Sequence, residues 1–205
     1  VGYFEVLDLI SESYENIGVT ESHIKSLHNS LMKYSAKDEW HKGNYKLHSN
    51  AVEATFPDGK RQIIFQTTEA GLATEDAIRA LLNWYNSETE VHTLIKVATF
   101  VYDFLSVHPF QDGNGRLSRL ISTLLLLKNG YNWIQYVSFE HEIENRKNEY
   151  YQVLRSCQAQ RPNEDVSIWI HFFLNCLSNI QSQLLTKLQK SGIETQLSPK
   201  EKSIY

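Results

Sequence analysis

An all-α helical bundle with one inserted β-hairpin is the fold class that this sequence predicts. Three observations carry it. Apolar residues recur at helical spacing through most of the chain; two short runs flank Pro57-Asp58-Gly59; and the segment Gly115–Asn129 is apolar on almost every side toward its C-terminal half. Helices follow from the first pattern, a tight hairpin from the second, and a central buried helix from the third.

Taken in order, Phe4 to Tyr14 carries Phe4, Val6, Leu7, Leu9 and Ile10, which suits a helix stopped by Asn16-Ile17-Gly18. Thr20 is a good cap for a second helix, with Glu21 in its first turn and a buried stripe of Ile24, Leu27, Leu31 and Tyr34. His23 stands where a capping box would need Glu or Gln, so that box is incomplete. The hairpin is expected over the runs around Asn50–Phe56 and Arg61–Phe65. Glu75–Asn86 presents Ile78, Leu81, Leu82 and Trp84 on one helical face, and Val91–Val107 is a long apolar helix. Asn129-Gly130 closes the central helix. A further helix is expected from about Glu142 to Gln158. Pro162-Asn163 separates it from a last long one around Val166–Lys190.

With 205 residues and 41% hydrophobic content, the chain can build one large domain, or one domain plus fragments of another. A net charge of −4 argues against a dominant nucleic-acid surface. Cys157 and Cys176 offer neither zinc spacing nor a disulfide framework, and read as buried thiols of a cytoplasmic protein. No stretch suits a membrane span and no signal peptide opens the chain. There is no internal repeat.

The chemistry is concentrated in His108-Pro109-Phe110-Gln111-Asp112-Gly113-Asn114-Gly115-Arg116-Leu117-Ser118-Arg119. Glycines around an asparagine let backbone N–H groups approach an anion, and the helix that follows points its positive end at the same place. Arg116 and Arg119 supply charge-assisted donors. Asp112 is a hard oxygen ligand suited to a magnesium ion shared with substrate phosphates. His108 is the side chain best placed by pKa to act as a base near neutrality. An isolated histidine here would more often cap the preceding helix through its ring; inside this set of residues the base reading prevails. Phe110 reads as a buried anchor for the loop.

These residues match every fixed position of H-P-F-x-D/E-G-N-G-R-x-x-R, so the chain resembles the Fic family. That many fixed positions in one window make chance agreement negligible. The resemblance extends to the flanking helices and to Asn145…Tyr150-Tyr151. It implies the same helical bundle, with the hairpin as a flap, and transfer of AMP from ATP to a Ser, Thr or Tyr hydroxyl of a target protein or of the chain itself. In those terms His108 is the base, and Gly113, Asn114 and Gly115 form the anion nest. Arg116 holds the β-phosphate side, Arg119 the γ-phosphate, and Asp112 the Mg2+. Tyr151 and Leu154 match the spacing of base and ribose contacts, with core packing an even alternative. Ile63 and Ile64 resemble the target-aligning flap, with a plain structural hairpin as the alternative.

Ser11-Glu12-Ser13-Tyr14-Glu15-Asn16 resembles the family's inhibitory motif, S/T-x-x-x-E-G/N. It implies a Glu15 carboxylate on Arg119, blocking the γ-phosphate position, with a solvated residue at a helix end as the alternative. The organisation read from the chain is N-terminal helices over 1–35, a catalytic domain over 36–190 and a linker over 191–205. Leu197-Ser198-Pro199-Lys200-Glu201 resembles the opening of a winged-helix domain. Transfer of another phosphate-containing group, removal of AMP, and a nucleotide-sensing regulator that binds DNA through such a C-terminal domain stay open as alternatives. So does a homodimer.

Overall fold

The helix Asn114–Lys128 runs through the middle of the molecule because the C-terminal half of its sequence leaves it almost no polar face. The computed structural model describes residues 2–35, 40–55 and 59–190. In chain order these form α1 (Gly2–Ser13), α2 (Glu21–Leu31), the strands β1 (Ala51–Thr55) and β2 (Arg61–Gln66), α3 (Leu72–Ser87), α4 (Thr93–Val107), α5 (Asn114–Lys128), a 3-10 turn (Asn132–Tyr136), α6 (Phe139–Asn145), α7 (Lys147–Gln158) and α8 (Ser167–Lys190). The all-α bundle with one hairpin is therefore the observed architecture. The expected winged-helix opening and the turn residues Pro57-Asp58 lie outside the described residues.

In α5, Leu117, Leu120, Leu125 and Leu126 are fully buried. Its hydroxyls survive burial by bonding back to the helix: Ser118 Oγ donates to Gly115 O at 2.8 Å and Ser122 Oγ to Ser118 O at 2.8 Å. Around it pack α1, α4 and α6, while α8 closes over α4, α6 and α7. Trp169 of α8 donates its indole N–H to Ala98 O of α4 at 2.8 Å, so the largest of the fully buried side chains is satisfied. One continuous core runs from Val6 of α1 to Ile180 of α8. Cys157 and Cys176 are buried free thiols within it.

Thr20 caps α2 as expected, its side chain accepting from His23 N–H. The stripe of α2 ends sooner than its spacing predicts. The helix stops at Leu31, and Tyr34 is exposed, its hydroxyl donating to Glu5 of α1 at 2.6 Å. The segment expected as one helix from about Glu142 starts earlier, at Phe139 behind a Ser138 cap, and is broken at Arg146. Ile143, Tyr150 and Leu154 keep their helical spacing across the break, so periodicity could not reveal it. The interruption coincides with the Arg146 guanidinium, which stands 4.8 Å over the Phe172 ring and donates to Cys176 Sγ, both on α8.

The two strands pair antiparallel with Val52 opposite Phe65, and the register shifts between Val52 and Glu53. A bulge of this kind bends a hairpin. Ile64 and Phe65 are buried, whereas Ile63 is exposed. No helix among the described residues is long and apolar enough to cross a membrane.

Leu125→Ala should cost about 2–5 kcal/mol, as for other fully buried leucines, read as a lower urea midpoint with an unchanged slope. A cost within 0.5 kcal/mol, the range of a surface substitution, would contradict its central place.

Candidate active site

The loop between α4 and α5 is shaped by residues that cannot continue a helix. His108 ends α4 in the left-handed region, φ 53° and ψ 60°, the one non-glycine residue with positive φ among those described. Proline follows it, which disfavours a helical His108 in any case. A non-glycine residue held there stores strain, and such strain collects at functional sites. Gly113 then starts α5 at φ 80°. A Cβ there would meet Met32 Sδ at 3.0 Å, so both backbone conformation and space require glycine.

Four loop carbonyls are gripped by the preceding segment. Val107 O accepts from Lys46 Nζ at 3.0 Å and Pro109 O from Lys46 N–H at 2.8 Å. Phe110 O accepts from Asn50 Nδ2 at 3.0 Å, and Asp112 O pairs with His28 Nε2 at 3.0 Å. The Gly43 N–H donates to His28 Nδ1, which makes Nε2 the protonated nitrogen and the donor to Asp112. The His28 ring lies flat on Phe110, centroids 3.7 Å apart. Phe110 is fully buried, the anchor that the sequence suggests. Lys46 is itself buried and held by Asn50 and Thr67, and burial lowers its ammonium to about 8.

Asn114 also has a part in holding the loop. Its side chain is buried and spent on the loop: Oδ1 accepts from Phe110 N–H at 2.9 Å and Nδ2 donates to Phe110 O at 2.7 Å. Only its backbone is left for an anion. The Gly113 N–H is taken by Asp112 Oδ1 at 2.6 Å. The first intrahelical bond of α5 runs from Leu117 N–H to Gly113 O, so the N–H groups of Asn114, Gly115 and Arg116 precede it at the positive end of the helix.

Against this helix end lies a cavity of about 330 Å3, within the roughly 300–1,000 Å3 usual for small-molecule sites. His108, Asp112, Gly113, Asn114, Gly115, Arg116 and Arg119 line it, joined by Tyr151 and Leu154. The hairpin contributes Ala51, Val52 and Glu53 of β1. Ile63 and Ile64, the flap residues expected from the sequence, sit on β2 and do not line it. Asn50, Gln111 and Tyr150 border the cavity as well. Tyr150 adjoins the matched Tyr151 and could have been found by that proximity; Asn50 and Lys46 carry no local signal.

The His108 ring Nδ1 lies 3.2 Å from Leu105 O. That carbonyl can only accept, so Nδ1 carries the proton and Nε2 keeps its lone pair. Capping the helix and serving as a base are thus compatible: the first fixes the tautomer for the second. Burial depresses the ring to about pH 4, with Lys46 adding to the effect against the Leu105 hydrogen bond and Asp112.

Glu15 does not reach Arg119. It is exposed, and its backbone carbonyl faces Lys128 Nζ at 3.4 Å, at the far end of α5. Helix α1 lies alongside α5 with Tyr3 near the Arg119 end, which carries Ser11 and Glu15 away from the cavity. Arg119 is paired instead with Glu140 of α6, Nε to Oε2 and Nη2 to Oε1 at 2.8 Å.

A family model described as Fic/DOC matches residues 18–126. A probable protein adenylyltransferase of Aquifex aeolicus is 38% identical over 53 residues, 26% of this chain and 17% of that protein. A Fido domain-containing protein of Dictyostelium discoideum is 29% identical over 129 residues, 62% of this chain and 86% of that protein. The crystal structure of a Fic family protein from Desulfovibrio desulfuricans superposes with a TM-score of 0.72 at 25% identity, covering 96% of this chain and 55% of that one.

The His108 ring should stay neutral down to about pH 4, read from its Cε1–H signal in an NMR titration. A midpoint near the ordinary 6.5 would contradict the burial. The sign for stability follows. Below about 6.5 the unfolded chain takes up a proton that the folded ring refuses until about 4, so this site favours unfolding as pH falls through that window.

Proposed function

The chain belongs to the Fic/DOC family, and from this we propose that its cavity transfers AMP from ATP to a Ser, Thr or Tyr hydroxyl of a protein, the chain itself included. The observation that carries the reading is the His108 ring. Its Nδ1 is engaged by Leu105 O, and the residue lines a cavity that also holds the start of α5 and two arginines. The relatives named adenylyltransferases support it over short stretches.

In this reading the target hydroxyl oxygen attacks the α-phosphorus. The new O–P bond forms as the bond to the β-phosphate breaks, pyrophosphate leaves, and His108 Nε2 takes the hydroxyl proton. Charge on the transferring group is spread over its oxygens, so the protein's share is positioning and electrostatic stabilisation. The N–H groups at the start of α5 hold phosphate oxygens, Arg116 the β-phosphate side and Arg119 the γ-phosphate. Tyr151 and Leu154 pack against ribose or base, and the hairpin lines up the target segment. A ring that titrates near 4 is a weak base, but the negative charge of a bound triphosphate raises it.

Asp112 fits a magnesium ion carried largely by the substrate. Its side chain is 63% exposed and its Oδ2 lies 3.7 Å from the Arg116 guanidinium, and no cluster of three metal-ligating residues exists among the described residues. One carboxylate with phosphate oxygens and water is the usual magnesium arrangement, and the ion would neutralise charge on the leaving phosphates. Inhibition through Glu15 is no part of the proposal, since that carboxylate lies at the other end of α5.

Incubation with ATP and Mg2+, read by intact mass, should add AMP to the wild type or to an offered protein substrate. His108→Ala should lower transfer by at least about 100-fold, the scale of a lost general base, while a fluorescent ATP analogue still binds. Loss of binding as well would make His108 structural. Glu15→Gly should leave the rate unchanged; an increase would restore that residue as a brake.

A further inference from the structure

Arg116 and Arg119 both line the cavity, but they are held differently. Arg116 is partly exposed, with only a long 3.7 Å approach to Asp112 and a contact to Met32 Sδ. The Arg119 side chain is 15% exposed and bonded along one edge, Nε and Nη2, to the two oxygens of Glu140. Its third nitrogen, Nη1, stands 3.4 Å from the position a Cβ on Gly115 would take, which puts it over the first turn of α5. Glu140 is not among the cavity-lining residues. The carboxylate therefore holds the guanidinium from outside the cavity and leaves the Nη1 edge on the inside.

A planar guanidinium has two edges that can each take a bidentate acceptor. A carboxylate competing with a phosphate would occupy the inner edge. Glu140 occupies the outer one, so the two acceptors can be held together. Two parallel bonds fix the plane as well as the position of Arg119. Tyr3 of α1 stands close to the carboxylate; burial foremost, and then the Glu140 charge, hold the Tyr3 phenol above its ordinary range.

We propose that Glu140 is a positioning residue for the nucleotide: gripping the outer edge of Arg119, it aims Nη1 at the phosphate chain. This rests on the reading of the cavity as an ATP site. Charge alone argues the opposite way. Removing a carboxylate makes the cavity more positive and would strengthen binding of a polyanion. Weaker binding after its removal therefore reports lost orientation.

The test compares wild type, Glu140→Ala, Glu140→Gln, Arg119→Ala and the Arg119→Ala/Glu140→Ala double variant. Each is measured for binding of a fluorescent ATP analogue with Mg2+, for KM and kcat of AMP transfer, and for thermal melting. Glu140→Ala should weaken nucleotide binding and raise KM about tenfold, the scale of one charge-assisted hydrogen bond, with a smaller change in kcat. Glu140→Gln keeps one acceptor and should fall between. The double variant should bind no worse than Arg119→Ala alone, because Glu140 acts through Arg119. Unchanged or tighter binding in Glu140→Ala would overturn the proposal, as would additive losses in the double variant. If Glu140→Ala does not fold, Glu140→Gln decides on the same terms. A wild type that binds no nucleotide overturns the ATP reading and this proposal with it; a wild type that binds while the Glu140 variants match it overturns this proposal alone.

Discussion

The loop that carries the chemistry has no secondary structure of its own, and its shape depends on where its carbonyl oxygens go. Those of Val107, Pro109, Phe110 and Asp112 all find donors on residues 28 to 50, and Asn114 ties both polar ends of Phe110 to the start of α5. An orphaned buried acceptor costs about 1–3 kcal/mol, which makes this set of bonds a condition for the loop rather than an ornament of it. Lys46 contributes twice, through its ammonium and its backbone N–H. His28 contributes twice as well, through its ring nitrogen and its stacked face. Most of the reactive groups lie in twelve consecutive residues, while much of what holds them lies sixty or more positions earlier.

That division explains what could be read from the chain. His108, Asp112, the glycines and both arginines announce themselves because chemistry demands particular residue types at particular spacings. Helices α1, α2, α4 and α5 are legible because burial on one face, or on all faces, leaves a period. Lys46 and Asn50 look like ordinary loop residues, since a side chain that caps a distant carbonyl leaves no periodic trace. Glu15 misleads for the related reason that a short pattern of common residues says nothing about direction. Whether a carboxylate reaches Arg119 depends on which end of α1 lies beside the start of α5, and that is settled by tertiary packing. Glu140 occupies an unremarkable position in the first turn of α6 and reaches Arg119 only because α6 packs against α5.

The electrostatics of the cavity are those of a site waiting for negative charge. A buried imidazole is kept neutral, a lysine stands close behind it, and a helix end and two guanidiniums face the same space. Part of this positive potential is offset within the fold, by Glu140 on Arg119 and by Asp112 against the Gly113 N–H and Arg116. The two carboxylates differ in kind. Asp112 is exposed on the cavity wall and able to exchange partners, whereas Glu140 stands outside the wall.

A trans peptide holds its oxygen and its hydrogen on opposite sides. Drawing the Asp112 carbonyl toward His28 therefore turns the next amide hydrogen, that of Gly113, the other way, where the Asp112 carboxylate accepts it. Packing on one flank of the loop thus sets the other: a single peptide plane ties the His28 ring behind the loop to the carboxylate on the cavity wall.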